Sequence, residues 1–529
     1  LDLDVIWWQQ TAKTEEQSIL IDITRLSPAE LDRFIHIQSV IARQQEDADK
    51  VKAARDYYKG DHPVMLTQRQ QEFIGKGLTS GDYGFNHNLV KVVIDTLRER
   101  LNVTGFTVNG RSAEDSDNAD GKLAALLWQW WKHSKLKSQQ IRLYRRALRD
   151  GKSYLMVDYD NDHARPRFTL HEVDDGQNGI VLHRDPSDEN QALFATRYFY
   201  TFNPLEPGQT GIERKTVYLP GEIRKYERTG LAGIIGSETT WRAVMDEGDL
   251  SWPLPWLDVQ GKPLGVAVIE FQNPGGSEID SIAGLQNALN KAWLDLIAAA
   301  DATGFPILTA NYRDPQPMPN LITDDDNIEG TDEFIIAPGR MLEIFGGTIN
   351  RLDAPNLEYM IKGIWSIVDA ISGLSRTPQQ FLRPFPGIDV PSGEALKQLE
   401  SGLVKKAEER QLLFGEAWAE VMTLAYRVAR TFGQGIPDVG NDPVIGVMWA
   451  DANTRMEKTE ADVAQIYKAL GVPDEAVWET AGFSPERIAQ FKENARLQRA
   501  QEIATIAAAA RTVPSNTQNG QQGNQQVTP

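Results

Sequence analysis

The chain has 529 residues, 41% of them hydrophobic, enough for several packed cores, and it has no cysteine, which excludes disulfides, thiolate metal sites and cysteine nucleophiles. Its 74 acidic and 55 basic residues leave a net charge of −19, the wrong sign for a protein whose main task is to grip phosphates. No apolar run approaches the roughly 18 residues that span a bilayer, and no signal segment opens the chain, so no membrane contact is expected. Leu1 in place of an initiator Met is read as numbering that starts inside a gene product.

Taken in order, Ser27-Pro-Ala-Glu30 reads as a capping box opening a charged helical region that stops at Tyr57-Tyr58-Lys59-Gly60. Asn86-His87-Asn88 precedes a helix from Leu89 to Leu101, closed by Asn102 to Gly105, and an acidic loop follows from Arg111 to Gly121. A single helix is predicted from Leu123 to Arg149, carrying the cations Lys132, Lys135, Lys137, Arg142, Arg145, Arg146 and Arg149, either as a solvated or subunit-facing surface or as a patch for DNA. The period then changes to two, and strands are predicted over 153–160, 167–173, 193–200, 214–219, 222–228 and 266–272.

Ser277-Glu-Ile-Asp280 reads as a second capping box, for a helix rich in small residues that runs to Ala300. Short strands and turns around Asp324, Asp325 and Asp326 lead to an amphipathic helix from Leu357 to about Gly373 and a proline-rich loop from Leu374 to Val390. From Pro391 to Gly433 one apolar stripe through Leu403, Ala407, Phe414, Trp418, Val421 and Ala425 predicts a very long helix, with Ser392 as N-cap and Gly402 and Gly415 as kink sites. Helices are expected over 454–470, 473–482 and from Ser484 towards Ala510, before a Gln/Asn-rich tail.

Several chemical signatures fall short. Gly151-Lys152-Ser153 follows a helix and precedes a strand, the reverse of a phosphate loop. Asp158, Asp160 and Asp162 resemble the start of a calcium loop, but His163 stands where Gly is needed and Thr169 where Glu is needed. His163, His171 and His183 match no metal-site spacing and are read as scattered surface residues. No active site, metal site or cofactor is therefore expected.

Four stretches together resemble the tailed-phage portal protein family, of the long-tailed type. They are Asp150-Gly-Lys-Ser-Tyr-Leu-Met-Val157; Phe271-Gln-Asn-Pro-Gly-Gly-Ser-Glu-Ile279 with Leu285-Gln-Asn-Ala-Leu-Asn290; the helix, proline-rich loop and Ser392-Gly-Glu-Ala-Leu-Lys397; and Trp449-Ala-Asp-Ala-Asn453. The resemblance implies an α+β portal fold with a wing (1–276), stem helices (277–304 and 354–373), a small α/β clip (305–353), a tunnel loop (374–391), a further wing segment with the long helix (392–448), a helical crown (449–511) and a tail (512–529). It also implies a twelve-subunit ring at one capsid vertex, with double-stranded DNA in its channel. The implied partners are the terminase large subunit, the major capsid protein and scaffold, and the head-to-tail adaptor. By the same resemblance Arg376, Gln379, Gln380, Phe381 and Arg383 would face DNA, and Asp324, Asp325 and Asp326 would meet a clip partner. The alternatives are another phage ring or adaptor protein, or a nucleic-acid-processing enzyme.

Overall fold

The computed structural model describes residues 26–45, 48–62, 86–115, 117–176, 178–185, 188–201, 211–229, 241–245, 251–304, 308–312, 347–351, 356–383, 393–440, 442–453 and 485–511, with isolated positions 467, 470, 477 and 478. It divides into two units, Leu1–Asn453 and Thr454–Pro529.

The first unit opens on helices α1 (Pro28–Gln45) and α2 (Ala48–Lys59). The predicted box is formed: Ser27 N donates to Glu30 Oε2 at 2.9 Å, and Glu30 N returns to Ser27 Oγ at 3.4 Å. Helix α3 (Leu89–Glu99) starts where Asn88 accepts the backbone N–H of Lys91. The helix predicted over 123–149 is two helices, α4 (Ala119–His133) and α5 (Leu136–Asp150). Lys135 between them has φ +56°, a left-handed conformation that ends one helix and redirects the next.

Strands β2 (Lys152–Asp160), β3 (Arg165–His171) and β10 (Val268–Gln272) form an antiparallel sheet in the order β10-β2-β3. A second antiparallel sheet orders β4 (Gly179–Asp185), β5 (Asp188–Thr201), β6 (Ile212–Tyr218), β7 (Glu222–Thr229) and β8 (Arg242–Ala243), with β9 (Leu254–Pro255) also on β7. All six predicted strands are present, and β4, β8 and β9 are additional. Two strands contradict expectation. Val103–Val108 (β1), read as the turn closing a helix, pairs antiparallel with Ile445–Trp449 (β13). Their partners lie more than 300 residues apart, so no local pattern signals the pairing.

Helix α6 (Ala283–Gly304) leads to the antiparallel pair β11 (Leu308–Tyr312) and β12 (Gly347–Arg351), then to α7 (Leu357–Ser375) and the single turn α8 (Gln379–Leu382). Asp324, Asp325 and Asp326 lie outside the described residues, as does the Ser392 cap. Helix α9 (Gly393–Phe432) runs unbroken for 40 residues, roughly 60 Å at 1.5 Å per residue. The helix continues through both Gly402 and Gly415. At Gly415 a Cβ would sit 3.2 Å from Trp449 Nε1, so the missing side chain serves the close approach of β13.

The core lies under α9. Phe414 stacks on Tyr144 with centroids 5.4 Å apart, and Trp418 meets Trp131 at 4.8 Å and Phe271 at 5.0 Å. Trp418 Nε1 also donates to the buried Tyr144 hydroxyl at 2.7 Å. In the second unit, α10 (Pro485–Arg511) places Phe491 against Trp478 at 5.5 Å; most of the helices predicted over 454–482, and the tail, lie outside the described residues.

Because Trp418 joins α4, α5, β10 and α9 at one point, Trp418→Ala is expected to cost about 3–5 kcal/mol, read as a lower denaturant midpoint at unchanged slope. A loss below about 1 kcal/mol would show that the site collapses around the cavity.

Candidate functional site

Two of the stretches that carry the resemblance meet directly. Stretch 150–157 supplies most of β2 and stretch 271–279 the last two residues of β10, which pair with Ser153 opposite Phe271. Gly151, at φ +87°, closes α5, and its carbonyl accepts Asn273 N at 2.8 Å. The Gly151-Lys152-Ser153 segment is thus a helix-to-strand turn, as its order of elements predicted. Ser277 does not cap a helix, since α6 starts only at Ala283. Its hydroxyl instead donates to the Arg149 carbonyl and accepts Ile279 N, and Glu278 N reaches the Leu148 carbonyl, stitching the turn to the end of α5.

This turn aims Glu278 at the long helix. Lys406 Nζ lies 2.5 Å from Glu278 Oε2, and Arg410 Nη2 lies 3.1 Å from Oε1. Asn273 completes the cluster by accepting from Arg410 Nε at 2.8 Å while donating to Glu278 Oε1 and the Gly276 carbonyl. All four side chains are buried. Burial pushes the Glu278 carboxyl up, but Lys406, Arg410 and Asn273 together outweigh it and hold the group below the usual carboxylate range. Lys406 also donates to the Ser375 carbonyl at the last turn of α7, 3.0 Å away. The root of the proline-rich loop is therefore fastened to the same cluster.

The polar residues of Leu285-Gln-Asn-Ala-Leu-Asn290 hold α6 to the segments flanking residues 63–85. Gln286 Oε1 accepts Leu89 N and its Nε2 donates to the His87 carbonyl; Asn290 Oδ1 accepts His87 N and its Nδ2 contacts His62 Nδ1; Asn287 donates to the Tyr57 hydroxyl. Sequence reading gave the motif without these roles, because their partners lie about 200 residues away.

The predicted loop residues are placed as follows. Arg376 is exposed at φ +56°, its N–H bonded to the Ser372 carbonyl at the end of α7. Among the described residues no carboxylate pairs with it. Gln379 is exposed and donates to Asp369, whereas Gln380 is half-buried and donates to Glu400 of α9. Phe381 is partly exposed beneath the Arg100 guanidinium, and Arg383 lies over the Trp365 ring at 5.4 Å. The five residues thus surround one short turn. A cleft of about 280 Å³ beside it is lined by the Asn273–Ser281 turn, Leu374, Arg376, Lys406, Glu409 and Arg410.

Two further expectations are settled here. His163 is exposed beside Asp160, which accepts its backbone and ring N–H groups within the β2–β3 turn. His183 is not a surface residue: it stacks on Phe194 at 4.0 Å with Nε2 near Thr196, and burial, with Lys215 nearby, pushes it down to about 3. Among the described residues no group of three His, Cys, Asp or Glu side chains is arranged to hold a metal, and no helix is long and apolar enough to cross a membrane.

The sequence matches the family model "Phage portal protein, SPP1 Gp6-like" over residues 37–505. The chain belongs to this portal family. It is similar to the "Portal protein" of Mycobacterium phage L5, 24% identical over 392 residues covering 71% of this chain and 70% of that protein. The "Portal protein" of Mycobacterium phage D29 is 24% identical over 413 residues, covering 74% and 75%. Among solved structures, a chain from "Neck of empty GTA particle computed with C6 symmetry" aligns with 11% identity and TM-score 0.37, covering 78% of this chain and 92% of that one. A chain from "Neck of native GTA particle computed with C12 symmetry" aligns with 10% identity and TM-score 0.35, covering 80% and 96%. Portal membership makes this a structural component of a phage-like virion rather than an enzyme.

Glu278→Gln should be among the most damaging single changes here, since it leaves Lys406 and Arg410 buried without their shared anion, at a cost of about 3–5 kcal/mol. The pH dependence has a definite sign. A carboxyl held lower in the folded chain than its ordinary 4.5 stabilises above that value and loses its contribution as pH falls below it. Acid unfolding of the wild type below pH 4.5 should therefore be steeper than that of Glu278→Gln, measured by circular dichroism across pH 3–6. Parallel curves would remove the cluster from this role.

Proposed function

We propose that this portal-family chain forms a closed ring of twelve subunits at one capsid vertex, the conduit through which double-stranded DNA enters during packaging and leaves at ejection. The observation that carries the reading is the portal match over residues 37–505. The physics of the chain supports it. Each phosphate neutralised by Lys or Arg adds salt-dependent affinity, which in a conduit acts as friction, and a net charge of −19 keeps that term small.

In this reading α6 and α7 are the stem helices, and residues 305–353 form the clip that meets the terminase large subunit and later the head-to-tail adaptor, with Asp324, Asp325 and Asp326 on its surface. Residues 1–276 and α9 form the wing towards the major capsid protein and scaffold, and residues from Trp449 onward form the crown. Assembly takes place in the host cytoplasm, and the finished protein sits at the portal vertex.

The turn from Arg376 to Arg383 is the DNA-facing part of the tunnel loop. Arg376 and Gln379 are its solvent-facing members, while the indole beneath Arg383 holds that cation in place.

Native mass measurement with electron microscopy should give twelve-fold rings, and an ATPase assay should give no hydrolysis; a persistent monomer at micromolar concentration and moderate salt would overturn the ring. For the loop, Arg376→Ala with Arg383→Ala should leave rings intact and change packaged DNA length or retention. Arg376→Ala alone should produce most of that change, since it disturbs no packing. If length and retention both match wild type in the double variant, the loop does not touch DNA.

A further inference from the structure

The turn from Arg376 to Arg383 sits in a place that several of its own residues oppose. Arg376 has φ +56°, a left-handed conformation that favours glycine. Thr377 is 1% exposed, and its hydroxyl has no hydrogen-bond partner among the described residues. The side-chain oxygen of Gln380 is buried in the same unpartnered way. Most buried polar atoms are paired, and one left unpaired costs its lost hydration, so two of them beside a left-handed arginine favour departure of the segment. The root stays behind. Ser375, one residue earlier, is tied through its carbonyl to Lys406, so departure begins at Arg376.

Several contacts stand against departure. Leu382 is buried, Arg383 lies over the Trp365 ring, Gln379 makes an exposed bond to Asp369, and Gln380 Nε2 donates to Glu400 Oε1 of α9 at 2.7 Å. The last of these is a bond to a charge that is only 6% exposed, the strong kind. The other oxygen of Glu400 accepts Arg100 Nη2 at 2.8 Å, and Arg100 Nη1 runs on to the Ala452 carbonyl at 2.7 Å. Arg100 follows α3 and Ala452 follows β13, so the carboxylate is braced by parts of the chain outside the loop. The backbone bonds within the turn, Phe381 N to the Pro378 carbonyl and Arg383 N to the Gln379 carbonyl, close a single helical turn, which does not persist by itself in water.

We propose that Glu400, braced by Arg100, is the positioning residue of this turn: through Gln380 it latches a segment that otherwise leaves its seat. On release Arg376 relaxes from the left-handed region, and the Thr377 hydroxyl and the Gln380 oxygen reach water, while the Leu382 seat and the Glu400 bond are lost. The turn is then a two-state element whose balance is set by one carboxylate. As control over a DNA-facing element the latch rests on the portal reading above; as a property of the turn it does not.

Amide hydrogen exchange in the full chain without DNA tests the latch, with the Phe381 and Arg383 amides as reporters of the docked turn. Glu400→Gln removes the charge and keeps the shape, and should speed exchange of both amides at least about fivefold. Thr377→Val removes the unpaired hydroxyl and keeps the shape, and should slow exchange by about threefold or more. The two together should exchange at a rate between those of the single variants, since they act on one equilibrium from opposite sides. A carboxylate that merely supports the fold gives another pattern, in which Glu400→Gln loosens residues 97–102 and leaves the turn as in wild type; that result overturns the proposal. So does a Thr377→Val chain whose reporters exchange as fast as wild type or faster. Should Glu400→Gln fail to fold, Thr377→Val still decides, together with Arg100→Lys, which lacks the planar fork that braces both the carboxylate and Ala452 and should speed exchange at the reporters. Packaged DNA length and retention in the same variants separate the two readings. Responsive reporters with wild-type packaging keep the latch and overturn the DNA-facing reading of the turn; altered packaging with unresponsive reporters does the reverse.

Discussion

One buried carboxylate organises the centre of the first unit. Glu278 takes a cation from the long helix on each of its oxygens, Lys406 on one and Arg410 on the other, and Asn273 fills the remaining directions. Removing a carboxylate and two cations from water is costly, so such a cluster is held only where geometry satisfies every member. Here the geometry comes from three places at once: the end of α5 fixes the turn, β10 fixes Asn273, and α9 supplies both cations. The last turn of α7 joins through its Ser375 carbonyl. Any shift of the loop root relative to α9 must therefore break or stretch a charge-assisted bond, which gives the loop a firm base from which to project.

The sequence told most where the signal was local. The capping box at Ser27, the long stripe through Phe414 and Trp418, and the period-2 strands all depend on neighbours within a few residues, and each is found. What could not be read needed a distant partner. β1 was taken for a turn because its ladder lies with residues 445–449. The Ser277 box failed because its hydroxyl finds Arg149 rather than the backbone of a helix. The reason for Gly415, room for Trp449, is visible only in the fold. For the loop, the identity of Arg376 and Arg383 was visible, but not that one is exposed and the other lies on an indole.

The distribution of charge is as informative as its sum. Several ion pairs fasten helices to the rest of the fold: Arg43 of α1 to Asp174 and to Glu213 of β6, Arg55 of α2 to Asp150 of α5 and to Asp175, and Arg100 at the end of α3 to Glu400 of α9. Each such pair is neutral, so the net charge of −19 is carried by the remaining groups. For a duplex sliding past, this means repulsion at range and few sticking points.

The pairing of β1 with β13 closes the chain between residues 103 and 449 into a loop held by a strand ladder. Val103 lies opposite Trp449, Ala450 N donates to the Asn102 carbonyl, and Gln411 reaches both the Arg100 and Ala450 carbonyls. During synthesis the early helices must wait, with the β1 edge unpaired, until residue 449 has left the ribosome. Contacts so far apart in sequence slow folding and leave an open strand edge in the meantime. The order of synthesis therefore separates completion of the subunit from the appearance of its first half, so a partly made chain lacks the finished body that a neighbour would need to recognise.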